Sequence, residues 1–382
     1  MSRIMGITNA HICTAAGVEY QNGSVFWDEN GILQYVGEKD NIFSIEVIDA
    51  KGSWVVPGFI DAHTHLGIQE SGVGISGDDI CETGGNMVTP GMRAIDGIAW
   101  EDIAFRDALS GGVTTVMVLP GSDNVISGLG AIIKTIGNSY DQRIVCERAA
   151  LKGALGEMPK EAGVQRKRMP TSRMGEAWLM RKTFQKGLQY LNEGKKDNWR
   201  KKDLDMEAVA MVLEGKIPFR VHAFKSEDIY TAIRIAREFH IRLVIDHGLE
   251  AYKVISELKK EHVPVTFGTA FNWKSSCETR ETDFLRAKEL IKEGVEVSMI
   301  TDHGCTPIQY LPLCAAMLFA EGITREEALK TITVNPARVL GIDEKVGSIE
   351  VGKEADISVF QRDFLGVGAK ADMVFIKGRQ VR

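Results

Sequence analysis

The pattern of hydrophobic and polar positions divides the chain into two kinds of segment. Short, strand-like stretches with turn signals between them occupy both ends, whereas near-continuous apolar runs alternate with amphipathic runs in the middle. A near-continuous apolar run of strand length is typical of a parallel strand that is buried on both faces. Alternation of such runs with helix-length runs predicts βαβ units and a parallel sheet.

The central segment begins near Pro57. Its predicted strands are Gly58–Ala62, Val113–Leu119, Ile217–His222, Arg242–His247, Val263–Phe267 and Val295–Thr301. Its predicted helices include Trp100–Leu109, Ser226–His240, Ala251–Glu261 and Thr282–Glu293. Two further helix starts are predicted, one by a capping box at Thr324–Glu327 and one by Asn335–Pro336, where a capping side chain precedes a first-position proline.

Both ends of the chain are rich in β-strand signals. The predicted strands are Met5–Cys13, Ser24–Trp27, Leu33–Val36 and Ile45–Ile48 at the start, and Gly347–Ile349, Ala355–Phe360 and Met373–Ile376 at the end. Asn-Gly between extended runs is a strong hairpin signal. We therefore predict that residues 1–56 and 345–382 pair into one small β-domain, which flanks a central α/β barrel at residues 57–344.

A long, polar and basic stretch at about residues 158–216 interrupts the alternation of strands and helices. It is expected to hold two helices, Arg173–Leu191 and Asp203–Glu214. One interpretation is a solvated helical insertion over the barrel. The other is an active-site lid, because the insertion leaves the barrel on the side where the strands end.

Composition narrows the classes of protein that fit this pattern. The chain has 382 residues, of which 44% are hydrophobic and 26% charged, as is ordinary for a folded globular protein. The net charge of −6 gives no global positive field for nucleic acid, and no apolar run is long enough to span a membrane. The six cysteines are scattered without a CxxC pair, which argues against a disulfide framework and a cysteine zinc site, and favours a reduced cytoplasmic compartment.

Candidate metal ligands stand at the ends of four predicted strands. His63 and His65 flank one residue at the end of the first barrel strand, and residues two apart on a strand point to the same face. His222, His247 and Asp302 each end a later strand. The alternative for His63 and His65 is a pair of satisfied core histidines. Because strand ends converge on one rim of a (β/α)8 barrel, the five side chains predict a site for Zn²⁺ or another divalent ion.

Other polar residues near the expected rim have two interpretations each. Arg93 and Arg173 could clamp a substrate carboxylate through a two-point contact or could be structural. His303 follows Asp302 and could contact substrate, support a ligand or be structural. The remaining histidines are interpreted as structural; they are His11, His240 and His262.

The motifs and their order resemble the amidohydrolase superfamily, and most closely the imidazolonepropionase-related hydrolases. The resemblance covers nearly the whole chain. It rests on the two lone strand-end histidines and on the motifs at 57–65, 301–304, 333–338 and 347–356, which read PGFIDAHTH, TDHG, TVNPAR and GSIEVGKEAD.

The resemblance implies a distorted (β/α)8 TIM barrel with a small β-sandwich domain built from both termini. It implies hydrolysis of a carbon–nitrogen bond by a metal-activated water. Members with two metal ions often bridge them with a lysine carbamylated by CO₂, and others use a glutamate. Lys152 and Glu157 are the two candidates here, on a strand and in a loop, so one or two ions remain open. The alternatives are a snorkelling or salt-bridged lysine for Lys152 and a surface carboxylate for Glu157.

The expected mechanism uses Asp302 as base and then acid, with the metal and His222 or His247 stabilising the oxyanion. The substrate is expected to be a small molecule, an amide that is cyclic or peptide-like, and the protein could form a homo-oligomer. Two alternatives are a heterocycle deaminase and a non-catalytic barrel scaffold. In deaminases of this superfamily a glutamate usually stands three residues after the third histidine, whereas Lys225 occupies that position here.

Overall fold

The computed structural model describes residues 4–38, 46–197 and 202–382. Ile45, where one N-terminal strand was predicted to begin, lies outside the described residues. In its described part the N-terminal segment forms five strands: β1 Met5–Cys13, β2 Glu19–Trp27, β3 Leu33–Gly37, β4 Glu46–Asp49 and β5 Trp54–Pro57.

The central segment forms a second sheet of eight strands. They are β6 Phe59–Thr64, β7 Val113–Val118, β8 Ile126–Lys134, β9 Ile144–Ala154, β10 Phe219–Ala223, β11 Leu243–His247, β12 Val265–Phe267 and β13 Val297–Met299. They follow one another in chain order from β6 to β13. Every neighbouring pair is parallel except those of β8, which runs antiparallel to both β7 and β9. The predicted TIM barrel is therefore present, and the reversed β8 is its distortion.

Polar contacts connect the first and last barrel strands. The Asp61 carboxylate on β6 accepts the backbone N–H of Thr301, just beyond β13, at 3.1 Å. The backbone N–H of Asp302 donates to the carbonyl of His63 at 3.2 Å. Both contacts join the ends of β6 and β13 on the rim where the candidate ligands lie.

The helices lie between these strands, in the insertion and after β13. They are α1 Ala104–Ser110, α2 Tyr140–Arg143, α3 Glu157–Gln165, α4 Arg173–Asp197, α5 Leu204–Leu213, α6 Ser226–Phe239, α7 Ile255–Lys260, α8 Phe284–Lys292, α9 Leu311–Ala320, α10 Arg325–Lys330 and α11 Val334–Leu340. Helix α6 shows why such runs become helices. Its first turn carries Glu227 and Asp228, its apolar positions Ile229 and Ile233 are buried, and it ends at His240 in the left-handed region.

The insertion packs against the barrel through α4. The Phe184 ring on α4 meets the Phe219 ring on β10 edge-on, with 5.1 Å between centroids. Helices α4 and α5 correspond to the two predicted helices, and α3 is an additional one. The lid interpretation of this segment stays a prediction.

The C-terminal segment forms β14 Ile357–Phe360, β15 Met373–Ile376 and β16 Arg379–Gln380. The terminal sheet has the order β16-β15-β14-β5-β1-β2-β3, with β4 beside β1. Its core contains Ile7, Val25 and Phe375 from both ends of the chain. The Trp27 indole N–H donates to the carbonyl of Gly378 at 2.9 Å. The predicted β-sandwich domain is therefore built from both termini.

Two local predictions were wrong. Asn335 does not cap α11, because the helix begins at Val334, two residues before the predicted start at Pro336, and its N-terminal flanking residue is Thr333. The Asn335 amide instead donates to the carbonyl of Val297 at 2.8 Å and ties α11 to β13. Residues Gly347–Ile349 form no strand, although the Ile349 N–H donates to the carbonyl of Thr14 at 3.0 Å.

Within the described residues, no helix combines the length and the apolar character that crossing a membrane requires.

Candidate metal centre

The ends of β6, β10, β11 and β13 bring the predicted ligands to one rim of the barrel. His63 and His222 lie on β6 and β10, and His247 is the last residue of β11. His247 and Asp302 have φ values of 74° and 51°, in the left-handed region that few non-glycine residues adopt. These turns at the strand ends bring both side chains toward His63.

Three of the side chains form a compact group. One ligand atom from each of His63, His247 and Asp302 lies within 4.8 Å of the other two, and all three residues are buried. An Asp302 carboxylate oxygen is 3.3 Å from Nε2 of His63 and 3.2 Å from Nε2 of His65. The His222 and His247 ring centroids are 4.4 Å apart. The structure thus brings together all five residues that the strand-end pattern singled out.

Backbone carbonyls orient two of the rings. Nδ1 of His65 is 2.7 Å from the carbonyl of Leu119, and Nδ1 of His247 is 2.9 Å from the carbonyl of Gly268. A carbonyl can only accept, so each Nδ1 carries a proton and donates it, which leaves Nε2 to face the centre of the site. Metal-binding histidines are typically oriented in this way.

The sequence analysis did not identify Asp246, which orients a third ring. Its carboxylate is 3.1 Å from Nδ1 of His63 and accepts the Thr266 hydroxyl at 2.7 Å. It also accepts the Arg220 guanidinium, whose Nε is 3.1 Å away. Burial opposes ionisation of Asp246, but Arg220 and His63 outweigh it and hold its pKa well below the usual range. The sequence did contain a signal for this role, since Asp246 lies within the apolar run of β11 and a buried carboxylate needs polar partners.

The donor set fits a divalent cation. Neither ring nitrogen of His222 has a hydrogen-bond partner, and neither does one carboxylate oxygen of Asp302, although all three atoms are buried. Buried polar atoms are costly when they are left without partners. A cation between imidazole nitrogens and a carboxylate would satisfy these atoms together.

Electrostatics leave the imidazoles ready to bind metal. Burial lowers the pKa of His222 well below its ordinary value and lowers the pKa of His247 to about 3. Burial opposes ionisation of Asp302, but contacts with His63 and His65 outweigh it and hold its pKa well below the usual range. At neutral pH the site offers neutral His222 and His247 rings and an Asp302 carboxylate.

Lys152 lies one layer deeper in the barrel than His222. On neighbouring strands Lys152 pairs with Arg220, whereas His222 pairs with Asp246. The fully buried Lys152 ammonium nevertheless reaches Asp246, with Nζ 3.3 Å from the carboxylate. Its long stem therefore carries the amine up to the histidine layer. Burial lowers the pKa of Lys152, and the Asp246 carboxylate opposes that shift.

Glu157 does not lie in the predicted loop but begins helix α3. Its backbone N–H donates to the carboxylate of Glu278 at 2.9 Å. Among the described residues, the compact group around His63 does not include Glu157. A segment held as the first turn of a helix has less freedom to swing toward a metal than a loop would have.

The three predicted substrate-binding residues all have protein partners. Arg93 pairs with Asp96 at 2.8 Å, and half-exposed Arg173 pairs with Asp228 at 3.1 Å. The ring of His303 is held on both sides: Nε2 is 3.2 Å from the Ser71 hydroxyl, and Nδ1 accepts the Ile308 N–H at 3.1 Å. None of the three belongs to the compact group among the described residues. The carbonyl of His303 accepts the His65 N–H at 2.7 Å, so this residue also supports a ligand.

Lys225, three residues after His222, stands where a deaminase of this superfamily would have its glutamate, and it is bound to Glu250. Glu250 follows His247 by three residues, one strand too late for the deaminase pattern. The side chains of Lys225 and Glu250 form a buried ion pair. Glu250 also accepts the Ser226 N–H at 3.1 Å. Burial opposes ionisation of Glu250, but Lys225 and Ser226 outweigh it and hold its pKa at about 2. Glu250 is therefore an ionised, fully engaged carboxylate at neutral pH.

A model of the Amidohydrolase family matches residues 54–381. The chain belongs to the amidohydrolase family. The match includes the whole barrel sheet, the five strand-end residues and all three C-terminal strands.

Similar proteins place this amidohydrolase in the imidazolonepropionase-related branch. It is 30% identical over 382 residues to an imidazolonepropionase of Geobacillus kaustophilus, with 89% of this chain and 84% of that protein covered. It is 28% identical over 360 residues to amidohydrolase tasK of Hapsidospora irregularis, which covers 87% of this chain but 37% of that longer protein. A crystal structure of an amidohydrolase from Thermotoga maritima MSB8 has a TM-score of 0.95 and 37% identity, covering 99% of both chains.

Family membership and site geometry agree on the class of reaction. The protein is a metal-dependent hydrolase that acts on carbon–nitrogen bonds.

Proposed function

We propose that this amidohydrolase hydrolyses an amide bond, cyclic or peptide-like, in a small molecule, and that Zn²⁺ is its metal. The observation that carries the proposal is the compact group of His63, His247 and Asp302, with the unpartnered nitrogens of His222 beside it. His65, held by Leu119, completes the proposed ligand set. Neutral imidazoles and a carboxylate are ligands that Zn²⁺ accepts readily.

Asp302 is the proposed proton shuttle. When bound, a divalent ion would lower the pKa of a water molecule toward ~7 and polarise the scissile carbonyl. The low pKa of Asp302 keeps its carboxylate ionised, so it can orient that water and accept its proton. The same carboxyl group then delivers the proton to the departing nitrogen.

His247 is proposed as a ligand rather than a donor to the oxyanion. Its protonated Nδ1 is already directed at the carbonyl of Gly268, which leaves Nε2 as an acceptor at neutral pH. Neither ring nitrogen of His222 has a hydrogen-bond partner. We therefore assign stabilisation of the oxyanion to His222 together with the ion that the site would hold.

Lys152 is the proposed bridge if two ions bind. Its neutral amine would add to CO₂, forming a nitrogen–carbon bond and releasing one proton to solvent, and the resulting carbamate is an anion. Burial, which lowers the pKa of Lys152, and the reach of its amine to the Asp246 level support this role. Glu157, held at the start of α3, is the weaker candidate.

The engagement of Glu250 supports amide hydrolysis over deamination. Deamination of a heterocycle needs a carboxyl group that can donate a proton to the leaving nitrogen. Lys225 occupies the position expected for that group, and Glu250 is ionised and bound to Lys225. Retention of the whole ligand set argues against a non-catalytic scaffold.

We also propose a reducing, cytoplasmic location. All six cysteines are free in the structure. Disulfides are rare in the cytoplasm because thiols are kept reduced there.

The proposal is tested with purified, Zn²⁺-loaded protein and a panel of cyclic amides, N-acyl amino acids and amino-heterocycles. Mass spectrometry detects amide cleavage, and a coupled assay detects ammonia. We expect amide cleavage without ammonia from the heterocycles. Ammonia release from a heterocycle, with no amide cleaved, would contradict the proposal and favour a deaminase.

The proposed shuttle is tested with Asp302→Asn on the substrate that the panel identifies. We expect kcat to fall ~100- to 10,000-fold, because general acid–base catalysis is lost, while most of the metal stays bound. Asp141→Asn, on an exposed helix, is the matched control and should retain wild-type kcat. Near wild-type kcat in Asp302→Asn would remove this residue from the shuttle role.

A further inference from the structure

A second cluster of metal-ligand side chains lies on the terminal sheet, outside the barrel. It consists of His11, Cys13 and Glu19, which each offer one ligand atom within 4.8 Å of the other two. We infer that these three residues form an accessory Zn²⁺ site. Nothing in the proposed reaction uses them.

The hairpin of β1 and β2 places the three side chains together. His11 and Cys13 are two apart on β1, so they share one face of the strand. Glu19 on β2 is the antiparallel partner of Cys13, which places the two side chains on the same face of the sheet. Register alone therefore brings a nitrogen, a sulfur and an oxygen donor to one point.

The surroundings restrict the motion of two of the ligands. The His11 ring stacks on the Trp54 indole with 3.7 Å between centroids. Cys13 is 6% exposed, and the Thr14 hydroxyl after it donates to the carbonyl of Val18 at 2.7 Å, which closes the hairpin turn. Restricted ligands lose little conformational entropy when a metal binds.

The potential ligand atoms of His11, Glu19 and the nearby Gln21 are in direct contact with one another. Nε2 of His11 contacts a carboxylate oxygen of Glu19 directly. The Gln21 side-chain amide is 3.2 Å from the same His11 nitrogen and 3.0 Å from the Glu19 carboxylate. Because the oxygen and nitrogen of an amide exchange places by a flip, Gln21 can supply an oxygen as a fourth ligand.

Charge balance favours a divalent cation. The Cys13 thiolate and the Glu19 carboxylate together bring two negative charges, which Zn²⁺ neutralises. The neighbouring Arg325 guanidinium does not replace the metal, since it pairs with Asp363 at 2.6 Å and lies over the Trp54 ring. Binding of Zn²⁺ would form a Zn–S bond and release the Cys13 thiol proton to solvent.

Access is available from the sheet surface. The Glu19 side chain is 45% exposed and the His11 side chain 15% exposed, whereas Cys13 lies beneath them. Zn²⁺ can therefore enter past Glu19 and reach the sulfur. The mixed nitrogen, sulfur and oxygen donor set suits Zn²⁺ better than Mg²⁺ or Ca²⁺, which bind oxygen ligands.

The experiment uses cobalt as a spectroscopic replacement for zinc. The full-length protein is stripped of metal and titrated with Co²⁺, and metal per chain is measured by mass spectrometry. We expect an intense thiolate-to-cobalt charge-transfer absorption in the near ultraviolet. Cys13→Ser should abolish this absorption and lose one metal ion per chain.

Matched variants separate this site from the barrel centre. Cys305→Ser, next to Asp302, and Cys146→Ser should both retain the absorption. Glu19→Gln and His11→Asn, whose side chains are not fully enclosed, should each lose the same metal ion while leaving amide hydrolysis unchanged. Absence of the absorption in the wild-type protein, its loss in Cys305→Ser but not in Cys13→Ser, or an unchanged metal count in Glu19→Gln and His11→Asn would overturn the inference. These outcomes do not depend on the proposed hydrolase activity.

Discussion

At the residue scale, the barrel centre depends on partners that hold each ligand in one orientation. Leu119, Gly268 and Asp246 lie beside Nδ1 of three different histidines. Nε2 of two of these rings, His63 and His65, faces the Asp302 carboxylate. Asp246 is the least replaceable of these partners, because it also holds Arg220 in the barrel interior. Removing one partner of such a buried network leaves the others uncompensated.

The bridging role of Lys152 predicts a change in metal content. Lys152→Ala should lose one metal ion per chain and most of the activity, since the carbamate would be absent. Added short-chain carboxylic acids should partly restore the metal content and the activity, because their carboxylate can occupy the position of the missing carbamate. Metal analysis, activity assays and NMR of protein prepared with ¹³C-bicarbonate measure these effects.

Lys160→Ala is the control for Lys152→Ala, because Lys160 is exposed on α3. Unchanged metal content and activity in folded Lys152→Ala would exclude Lys152 as a ligand. The parallel variant Glu157→Ala would then show whether the glutamate takes that role.

Two buried carboxyl groups near Gly156 predict a pH dependence of stability. Burial raises the pKa of both Glu176 and Glu278 to about 7, from the ordinary value of 4.5. Between these values the folded state binds more protons than the unfolded state. The free energy of unfolding should therefore fall as the pH rises through this window.

Urea unfolding at about pH 5 and about pH 8 measures this dependence. Glu278→Gln should reduce the difference between the two conditions, because the glutamine does not titrate. Glu344→Gln, on the surface, should leave it unchanged. An equal pH dependence in Glu278→Gln and wild type would show that Glu278 does not contribute.

At the scale of elements, strand ends and helix starts determine where side chains lie. The antiparallel β8 shares extensive pairing with β9, from Ile126–Gly153 to Ile133–Ile144. On its other edge β9, which carries Lys152, pairs in parallel with β10, which carries His222. The sequence analysis did not predict β8, because its run contains Gly128 and Gly130 and follows a loop signal.

The capping box of α10 predicts a measurable local contribution. The Thr324 hydroxyl accepts the Glu327 N–H at 3.2 Å, and the Glu327 carboxylate accepts the Thr324 N–H at 3.0 Å. Thr324→Ala should lower the free energy of unfolding by ~1 kcal/mol, because an N–H at the helix start loses its partner. Urea denaturation measures the change.

Thr231→Ala is the matched control for Thr324→Ala. Thr231 lies within α6, where its hydroxyl donates to the carbonyl of Glu227 at 2.8 Å and caps nothing. Alanine is a better helix former at an interior position, so the stability should be unchanged or slightly higher. Equal effects of the two substitutions would contradict a capping role for Thr324.

At the scale of the whole molecule, the two chain ends are structurally inseparable. Strand β14 pairs with β5 from Ile357–Pro57 to Phe360–Trp54, so the C-terminal segment covers the edge of the N-terminal one. The sequence predicted this pairing from the β-rich texture of both ends. The boundaries 1–56, 57–344 and 345–382 stay a proposal for how the chain divides into domains.

Deleting residues 345–382 should cause aggregation, because the paired edge of β5 would become exposed. Size-exclusion chromatography and thermal melting measure the effect. In full-length protein, Val359→Asp should act in the same direction, since Val359 is fully buried. Val351→Asp, at a 63% exposed position, is the control. A monodisperse truncation with an unchanged melting temperature would show that the termini fold apart.

The sequence by itself determined the fold class and the identity of the candidate ligands. Periodicity is local, so runs such as those of β7 and β11 predict their strands without any knowledge of neighbours. Residue type is equally local. Once parallel strands are inferred, a histidine or aspartate at the end of a buried run is expected to lie at the rim of the barrel, where the active site is expected. His63, His247 and Asp302 are such residues.

Only the tertiary structure decided which groups contact each other across strands. Asp246 beneath His63, Lys152 reaching the histidine layer and Glu250 bound to Lys225 all depend on register between segments far apart in the chain. The antiparallel direction of β8 and the start of α3 at Glu157 were also decided by the tertiary structure. Local sequence carries no information on such register, because it is set when whole strands and helices pack against one another.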